Sequence, residues 1–194
     1  MNKKVIIKIV AIVCAVLICL SFVYFHSLTN VTREGLTAIE GKTIADDIAY
    51  EWNSSALLGS VRTIEYAKLD GLSDYWIYGY LNPYNYSYFV DITVFASGET
   101  EVKHYNISLN VSYDASKWNW NIDSDDAYDI IISDPTIKQF KSKYGVGSLE
   151  FSLGGSNPYW YVSLHASRLF DDPKSAEIQI DATTGEVLYV EVDD

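Results

Sequence analysis

Residues 176–192, AEIQIDATTGEVLYVEV, carry the clearest structural pattern in this chain. Ile178 and Ile180 alternate with polar residues, and a second alternating run extends from residue 186 to residue 192. Alternation with a period of two is typical of a half-buried β-strand, because successive side chains point to opposite faces of a sheet. Residues 182–185 separate the two runs and are rich in turn-forming threonine and glycine. The stretch therefore predicts a β-hairpin.

The order of predicted elements occurs twice along the chain. In the first half, a helix over residues 43–58 precedes strands and a hairpin over residues 88–105; in the second, two helices within residues 124–144 precede strands and the closing hairpin. Each final hairpin contains a Gly-Glu step, at Gly98 and at Gly185. We interpret this order as an internal duplication, although any two small units of helices and strands share the same rhythm.

These elements predict an α+β fold in four parts. Residues 1–25 would form a cytoplasmic stub and a transmembrane anchor, residues 26–41 a linker, and residues 42–113 and 114–194 two units. We expect each unit to be a helix packed on a small antiparallel sheet. A unit of about 70 residues buries only about 60% of its unfolded surface, so two units that share an interface would be more stable than either alone.

The second half resembles the PepSY domain family. Three motifs carry the resemblance: DSDDAYDIII at residues 123–132, YWYVSLHA at residues 159–166, and IDATTGEVL at residues 180–188. The first half has ASGETEV at residues 96–102 in the corresponding turn, so it would be a diverged copy. PepSY domains occur in propeptides of thermolysin-like metallopeptidases and in membrane-anchored envelope proteins. The resemblance therefore implies a non-catalytic module that binds or regulates another protein, for instance by restraining a peptidase.

The N-terminal segment predicts a membrane anchor. Residues 5–25 are apolar apart from Lys8 and Ser21, and a helix of about 20 apolar residues can cross a membrane. Lys3 and Lys4 precede the segment, so the positive-inside rule predicts a cytoplasmic N-terminus and an extracytoplasmic C-terminal domain. A cleaved signal peptide is the alternative, but the segment has no small-x-small cleavage pattern.

Five Asn-x-Ser/Thr triplets are candidate N-glycosylation sites, at Asn30, Asn53, Asn85, Asn106 and Asn110. A chain rich in asparagine, serine and threonine also collects such triplets by chance. A glycosylated structural or adhesive protein of the cell envelope is therefore an alternative function.

The net charge of −12 opposes binding to nucleic acid, because phosphates and an acidic surface repel each other. Both cysteines lie within residues 5–25, so we expect no disulfide in the rest of the chain. The three histidines show no paired zinc-binding spacing, and there is no nucleophile or phosphate-loop motif. We therefore expect no catalytic residues, no cofactor and no enzymatic activity; an enzyme acting on carbohydrate or peptide is the weaker alternative.

Four aspartates have a spacing similar to that of a calcium-binding loop, in which carboxylates bind the ion. Asp123, Asp125, Asp129 and Asp134 fall at positions 1, 3, 7 and 12 of an EF-hand count, but Tyr128 stands where that loop requires glycine. Aspartates also cap helices and complement the positive end of the helix dipole. We favour helix starts over a metal site.

Four residues are candidates for binding a partner protein: Tyr159, Trp160 and Tyr161 on an aromatic strand, and Asp181 beside the final turn. Exposed strand edges, such as residues 99–105, could also pair with a strand of the partner. For Asp181 a structural role is the favoured interpretation, since an aspartate beside a turn accepts hydrogen bonds from the backbone N–H groups of that turn.

Overall fold

The structure is a computed structural model, and it describes residues 35–63, 67–106, 118–167 and 174–193. Its helices and strands alternate in two runs along the chain. The helices are α1 (Ala38–Trp52), α2 (Ser124–Ser133) and α3 (Pro135–Tyr144), and the strands are β1 (Leu57–Arg62), β2 (Tyr75–Leu81), β3 (Tyr88–Phe95), β4 (Thr100–Asn106), β5 (Ser148–Gly154), β6 (Tyr159–His165), β7 (Ser175–Asp181) and β8 (Val187–Asp193).

The strands form one eight-stranded sheet in the order β4-β3-β2-β1-β5-β6-β7-β8, with every neighbouring pair antiparallel. The prediction of two units that each carry a small sheet is therefore wrong. β1 pairs with β5 and places Val61 opposite Leu153. The seam continues where the backbone N–H of Thr63 donates to the carbonyl of Phe151 at 3.0 Å. Joining the two inner strands gives partners to backbone groups that two separate sheets would leave unpaired at their edges.

One face of the sheet, which we call the helix face, carries the buried core. Along β6, Trp160, Val162 and Leu164 are buried while the residues between them are half-buried, as strand periodicity requires. On β2, the hydroxyl of Tyr78 donates to the carbonyl of Ala38 in α1 at 2.7 Å. The aromatic rings of Trp76 and Trp160 lie 6.0 Å apart and join the cores of the two halves. We call the opposite side of the sheet the second face.

Helix α1 begins earlier than the sequence pattern predicts. Its N-cap is Thr37, whose hydroxyl accepts a hydrogen bond from the N–H of Glu40 while the Glu40 carboxylate accepts from the N–H of Thr37. The helix ends at Trp52, and residues 57–62 belong to a strand that bulges between Leu58 and Ser60. The predicted helix over residues 43–58 was wrong at both ends, because the capping pattern occurs at Thr37 as well as at Thr43.

Helices α1 and α2 begin side by side and share caps. The carboxylate Oδ1 of Asp123 accepts hydrogen bonds from the N–H groups of Ile39 at 3.0 Å and Ser124 at 2.7 Å. The hydroxyl of Ser124 accepts from the N–H of Ala38 at 3.1 Å. At the start of α3, the Oδ1 of Asp134 accepts from the N–H of Thr136 at 2.8 Å. The helix-start interpretation is therefore confirmed for Asp123 and Asp134.

The predicted membrane-spanning helix must be corrected. Among the described residues, the helices contain 15, 10 and 10 residues, and none is long and apolar enough to cross a membrane. The segment on which the anchor was predicted, residues 5–25, lies outside the described residues. We therefore withdraw the single-pass anchor, the membrane attachment through an N-terminal helix, and the extracytoplasmic placement inferred from it.

The closing hairpin is confirmed. β7 and β8 pair antiparallel, with Ile178 opposite Val190 and Gln179 opposite Tyr189. The register then shifts, since Ile180 lies opposite Val187, so Leu188 forms a bulge on the outer strand. The hairpin places β8 at one end of the sheet, and β4 lies at the other end.

Candidate functional site

The four predicted partner-binding residues lie on neighbouring strands but on different faces of the sheet. Trp160 is fully buried on the helix face. Its indole Nε1 donates to the carbonyl of Ile122 at 2.8 Å, and its ring lies 5.6 Å from the ring of Trp120. The side chain of Trp160 therefore belongs to the core and is not presented at a surface.

Tyr159 and Tyr161 lie on the second face and are half-buried. The hydroxyl of Tyr161 forms a hydrogen bond with the carboxylate of Glu177 on β7, which raises the pKa of Tyr161 to about 12. Tyr159 lies opposite Asp181 in the register of β6 and β7. Of the three predicted aromatic residues, only Tyr159 and Tyr161 are therefore available to a partner, and both lie on the second face.

Asp181 ends β7 and shapes the final turn. Its Oδ1 accepts hydrogen bonds from the N–H groups of Thr183 at 2.8 Å and Thr184 at 2.9 Å. These two bonds lower the pKa of Asp181, because they stabilise the ionised carboxylate. The structural interpretation of Asp181 is confirmed by this geometry.

Three of the five sequon asparagines fall within the described residues. Asn53 is half-buried at the end of α1, whereas Asn85 and Asn106 are exposed. The side chain of Asn85 accepts a hydrogen bond from the N–H of Ser87 at 3.1 Å. Asn30 and Asn110 lie outside the described residues. Glycosylation at these five positions stays a prediction.

The outer strand β8 exposes two large hydrophobic side chains. Leu188 is 52% exposed and Tyr189 is 43% exposed. Val190 and Val192 are partly buried, and they pack against the core from the helix face. Exposed edge strands offer unpaired backbone donors and acceptors, and proteins usually protect them with charges or cover them. Both edge strands carry exposed charges: Glu101 and Lys103 on β4, and Glu191 and Asp193 on β8.

A cavity of about 80 Å³ lies next to β8 on the helix face. The aromatic side chains of α3 and one valine of β8 line it, with polar groups around them: Phe140, Tyr144, Val192, Thr136, Gln139 and Lys143. The rings of Phe140 and Tyr144 lie 5.3 Å apart, and the ammonium of Lys143 lies 4.6 Å from the centre of the Tyr144 ring. The arrangement can receive a small apolar side chain that arrives along the edge of β8.

The second face of the same edge is acidic. Glu177 on β7 lies directly opposite Glu191 on β8, so two carboxylates occupy one cross-strand pair. Each accepts a hydrogen bond from a tyrosine: Glu177 from Tyr161, and Glu191 from Tyr189. Within the described part of the chain, no lysine or arginine pairs with either glutamate. Like charges that lie directly opposite each other destabilise a sheet, so the two glutamates repel each other across the strands.

Sequence reasoning missed the edge formed by β8 and its cavity. It named residues 99–105 as an example of an exposed edge, and β4 does lie at one end of the sheet; β8 was not named because the order of strands in the sheet was not known. The pairing of Glu177 with Glu191 could not be read from the turn at residues 182–185, because the bulge at Leu188 shifts the register by one residue between the turn and this pair.

In the described ranges, no group of three or more histidine, cysteine, aspartate or glutamate side chains is placed to hold a metal ion. Asp123 and Asp134 are instead engaged with backbone N–H groups at helix starts.

No protein-family model matches this chain, and no curated protein matches it in sequence. Among solved structures, the chain is similar to a crystal structure from Clostridium difficile 630 described as a "putative lipoprotein". The two chains are 16% identical, the match covers 79% of this chain and 93% of the other, and the TM-score is 0.49. A similarity at this level assigns neither a family nor a function.

Proposed function

We propose that this chain is a non-catalytic protein-binding module that holds an extended segment of a partner protein along β8. The observation that carries the proposal is an edge strand that exposes Leu188 and Tyr189 beside a cavity of side-chain size. Binding by strand addition uses backbone hydrogen bonds for affinity and pockets for alternate side chains for specificity. β8 supplies the edge, and α3 supplies the wall of the pocket.

The backbone of β8 supports an extended occupant. Within the described residues, no strand pairs with the outer side of β8. Its regular part extends from Tyr189 to Asp193, beyond the bulge at Leu188. Unpaired N–H and C=O groups in a row are matched by another strand, and an extended peptide carries such a row.

The cavity supports the binding of one anchoring side chain. A cavity of roughly 150 Å³ can hold benzene, so a cavity of about 80 Å³ suits a branched aliphatic side chain. Its walls are the rings of Phe140 and Tyr144, both buried. Burial of an aliphatic side chain there would contribute about 0.8 kcal/mol per methylene group.

The resemblance to the PepSY family adds a class of partner to this proposal. In that family the implied role is to bind or restrain a protein, including peptidases. An extended segment held along β8 would be bound without being cleaved. Once peptides have been tested, the first protein partners to test are therefore a peptidase and an extended segment of a peptidase substrate.

Selection from a displayed library of random peptides against the full chain tests the proposal. Photocrosslinking residues would replace Leu188 on β8 and, as a matched control, Val102 on β4, which is 41% exposed on the other edge strand. We expect enriched peptides to crosslink from position 188 and not from position 102. Failure to enrich any peptide, crosslinking only from position 102, or equal crosslinking from both positions would overturn the proposal.

A further inference from the structure

We infer that the segment held along β8 carries a lysine or arginine flanked on both sides by small apolar residues. This inference rests on the proposed function and specifies the chemistry of the partner. It follows from the different character of the two faces of the sheet at this edge.

The second face of the edge favours a cation. A strand added to β8 would lie about 4.8 Å from it, so one of its residues would be the next member of the cross-strand row that contains Glu177 and Glu191. A lysine or arginine at that position would contact the carboxylate of Glu191 and would offset the repulsion between the two glutamates. The net charge of −12 favours the approach of a basic segment from a distance.

The helix face of the same edge favours apolar residues. Successive residues of a strand point to opposite faces, so the neighbours of the basic residue would point toward Val190 and Val192. Val192 lines the cavity with Phe140 and Tyr144. Lys143 also lines this cavity and would oppose a cationic side chain on this side. The bound segment should therefore carry an apolar residue, a basic residue and an apolar residue in succession.

The same edge disfavours an acidic segment. A glutamate in place of the basic residue would add a third carboxylate to the row of Glu177 and Glu191. Like charges that lie directly opposite each other destabilise strand pairing. The discrimination therefore comes from repulsion of the wrong residue as well as from attraction of the correct one.

Two synthetic peptides of about nine residues test the inference on the full chain. Both alternate valine with threonine, and they differ only at the central position, which is lysine in one and glutamate in the other. We expect the lysine peptide to bind about fivefold more tightly, which is the upper end for one exposed ion pair, because the glutamate peptide also adds a repulsion. We also expect the ratio to fall in about 1 M salt, where the screening length is about 3 Å.

Matched variants locate the preference. Glu191→Gln should bring the two affinities close together, whereas Glu101→Gln on the other edge strand should leave their ratio unchanged. Both glutamates are exposed, so neither change removes a core contact. A thermal denaturation curve for each variant confirms that it folds.

The outcomes separate this inference from the proposed function. If both peptides crosslink from position 188 with equal affinity, the proposed strand addition stands and the inferred basic residue is wrong. If the preference for lysine persists in Glu191→Gln, the inference is also wrong. If neither peptide crosslinks from position 188 while a selected peptide does, the inferred pattern fails; if no peptide does, the proposed function itself fails.

Discussion

The carboxylate of Asp123 accepts a hydrogen bond from the backbone N–H of Ile39, which lies 84 residues away in the sequence, at 3.0 Å. Asp123 is the N-cap of α2, and Ile39 is in the first turn of α1. One carboxylate therefore serves two helix starts, one from each half of the chain. Burial raises the pKa of Asp123, because the ionised form loses contact with water.

The wild type should lose stability as the pH rises and Asp123 ionises, and Asp123→Asn should not show this loss. A carboxyl group whose pKa is raised by folding binds its proton more tightly in the folded state. Its contribution to stability is therefore complete below the unfolded-state pKa of 3.8 and is lost as the pH rises through the folded-state pKa. Asparagine keeps the acceptor oxygen and does not ionise. The free energy of unfolding of Asp123→Asn minus that of the wild type should therefore increase from about pH 3 to about pH 6 in urea titrations.

Asp126→Asn provides the control for this experiment, because Asp126 is exposed in the same helical turn. Asp123→Ala should be less stable than Asp123→Asn by about 1–2 kcal/mol at every pH, since it also removes the cap. A difference for Asp123→Asn that decreases with pH would contradict this assignment.

Two glycines with similar backbone conformations should respond differently to alanine. Gly71 and Gly98 have φ angles of 78° and 84°, and an L-residue in this region costs about 1–2 kcal/mol. A Cβ at Gly71 would lie 2.3 Å from the carbonyl oxygen of Ser124, whereas nothing lies within 4 Å of a Cβ at Gly98. Gly71→Ala should therefore destabilise the protein by about 1–3 kcal/mol more than Gly98→Ala. Equal denaturation midpoints would contradict the packing of the Gly71 loop against α2.

Trp160 should behave as a core residue. Trp160→Ala should cost about 3–5 kcal/mol of unfolding free energy, because the side chain is fully buried among other rings. Trp160→Phe should cost less, while losing the hydrogen bond to the carbonyl of Ile122. Urea denaturation of both variants measures the effect, with Tyr159→Phe on the second face as the control. If Trp160→Phe folds with unchanged stability but no longer binds the selected peptides, Trp160 contacts the partner.

Asp181 should stabilise the turn without contributing to peptide binding. Backbone N–H groups lower its pKa, so the stability it contributes is present above the unfolded value of 3.8 and is lost as the pH falls through the lowered folded value. Asp181→Ala should cost about 1 kcal/mol at pH 7, and the difference from the wild type should shrink in acid. Denaturant titrations at pH 7 and in acid measure both. Loss of peptide binding with no loss of stability would reverse this assignment.

The sequence predicted what is local and could not predict what joins distant segments. The hairpin of β7 and β8 was predictable because Ile178 and Ile180 alternate with polar residues and the turn lies between the strands. The pairing of Val61 with Leu153 was not, since any strand edge offers the same backbone groups to another. One continuous sheet thus replaced the two small sheets that were expected.

The candidate site shows the same division. Alternation placed Tyr159 and Tyr161 on one face and Trp160 on the other, but periodicity does not say which face a helix covers. Trp160 was therefore selected as a partner-binding residue although it lies in the core. The cavity between α3 and Val192 depends on the strand order of the whole sheet, and no local pattern shows it.

Amide hydrogen exchange on the full chain, with and without the peptide that carries the central lysine, shows directly whether a peptide pairs with β8. The bound peptide should slow exchange in Val187–Asp193 and leave exchange in Thr100–Asn106 at the other edge unchanged. Slowed exchange in Thr100–Asn106 alone, or unchanged exchange in Val187–Asp193 at a saturating concentration of peptide, would contradict the pairing with β8.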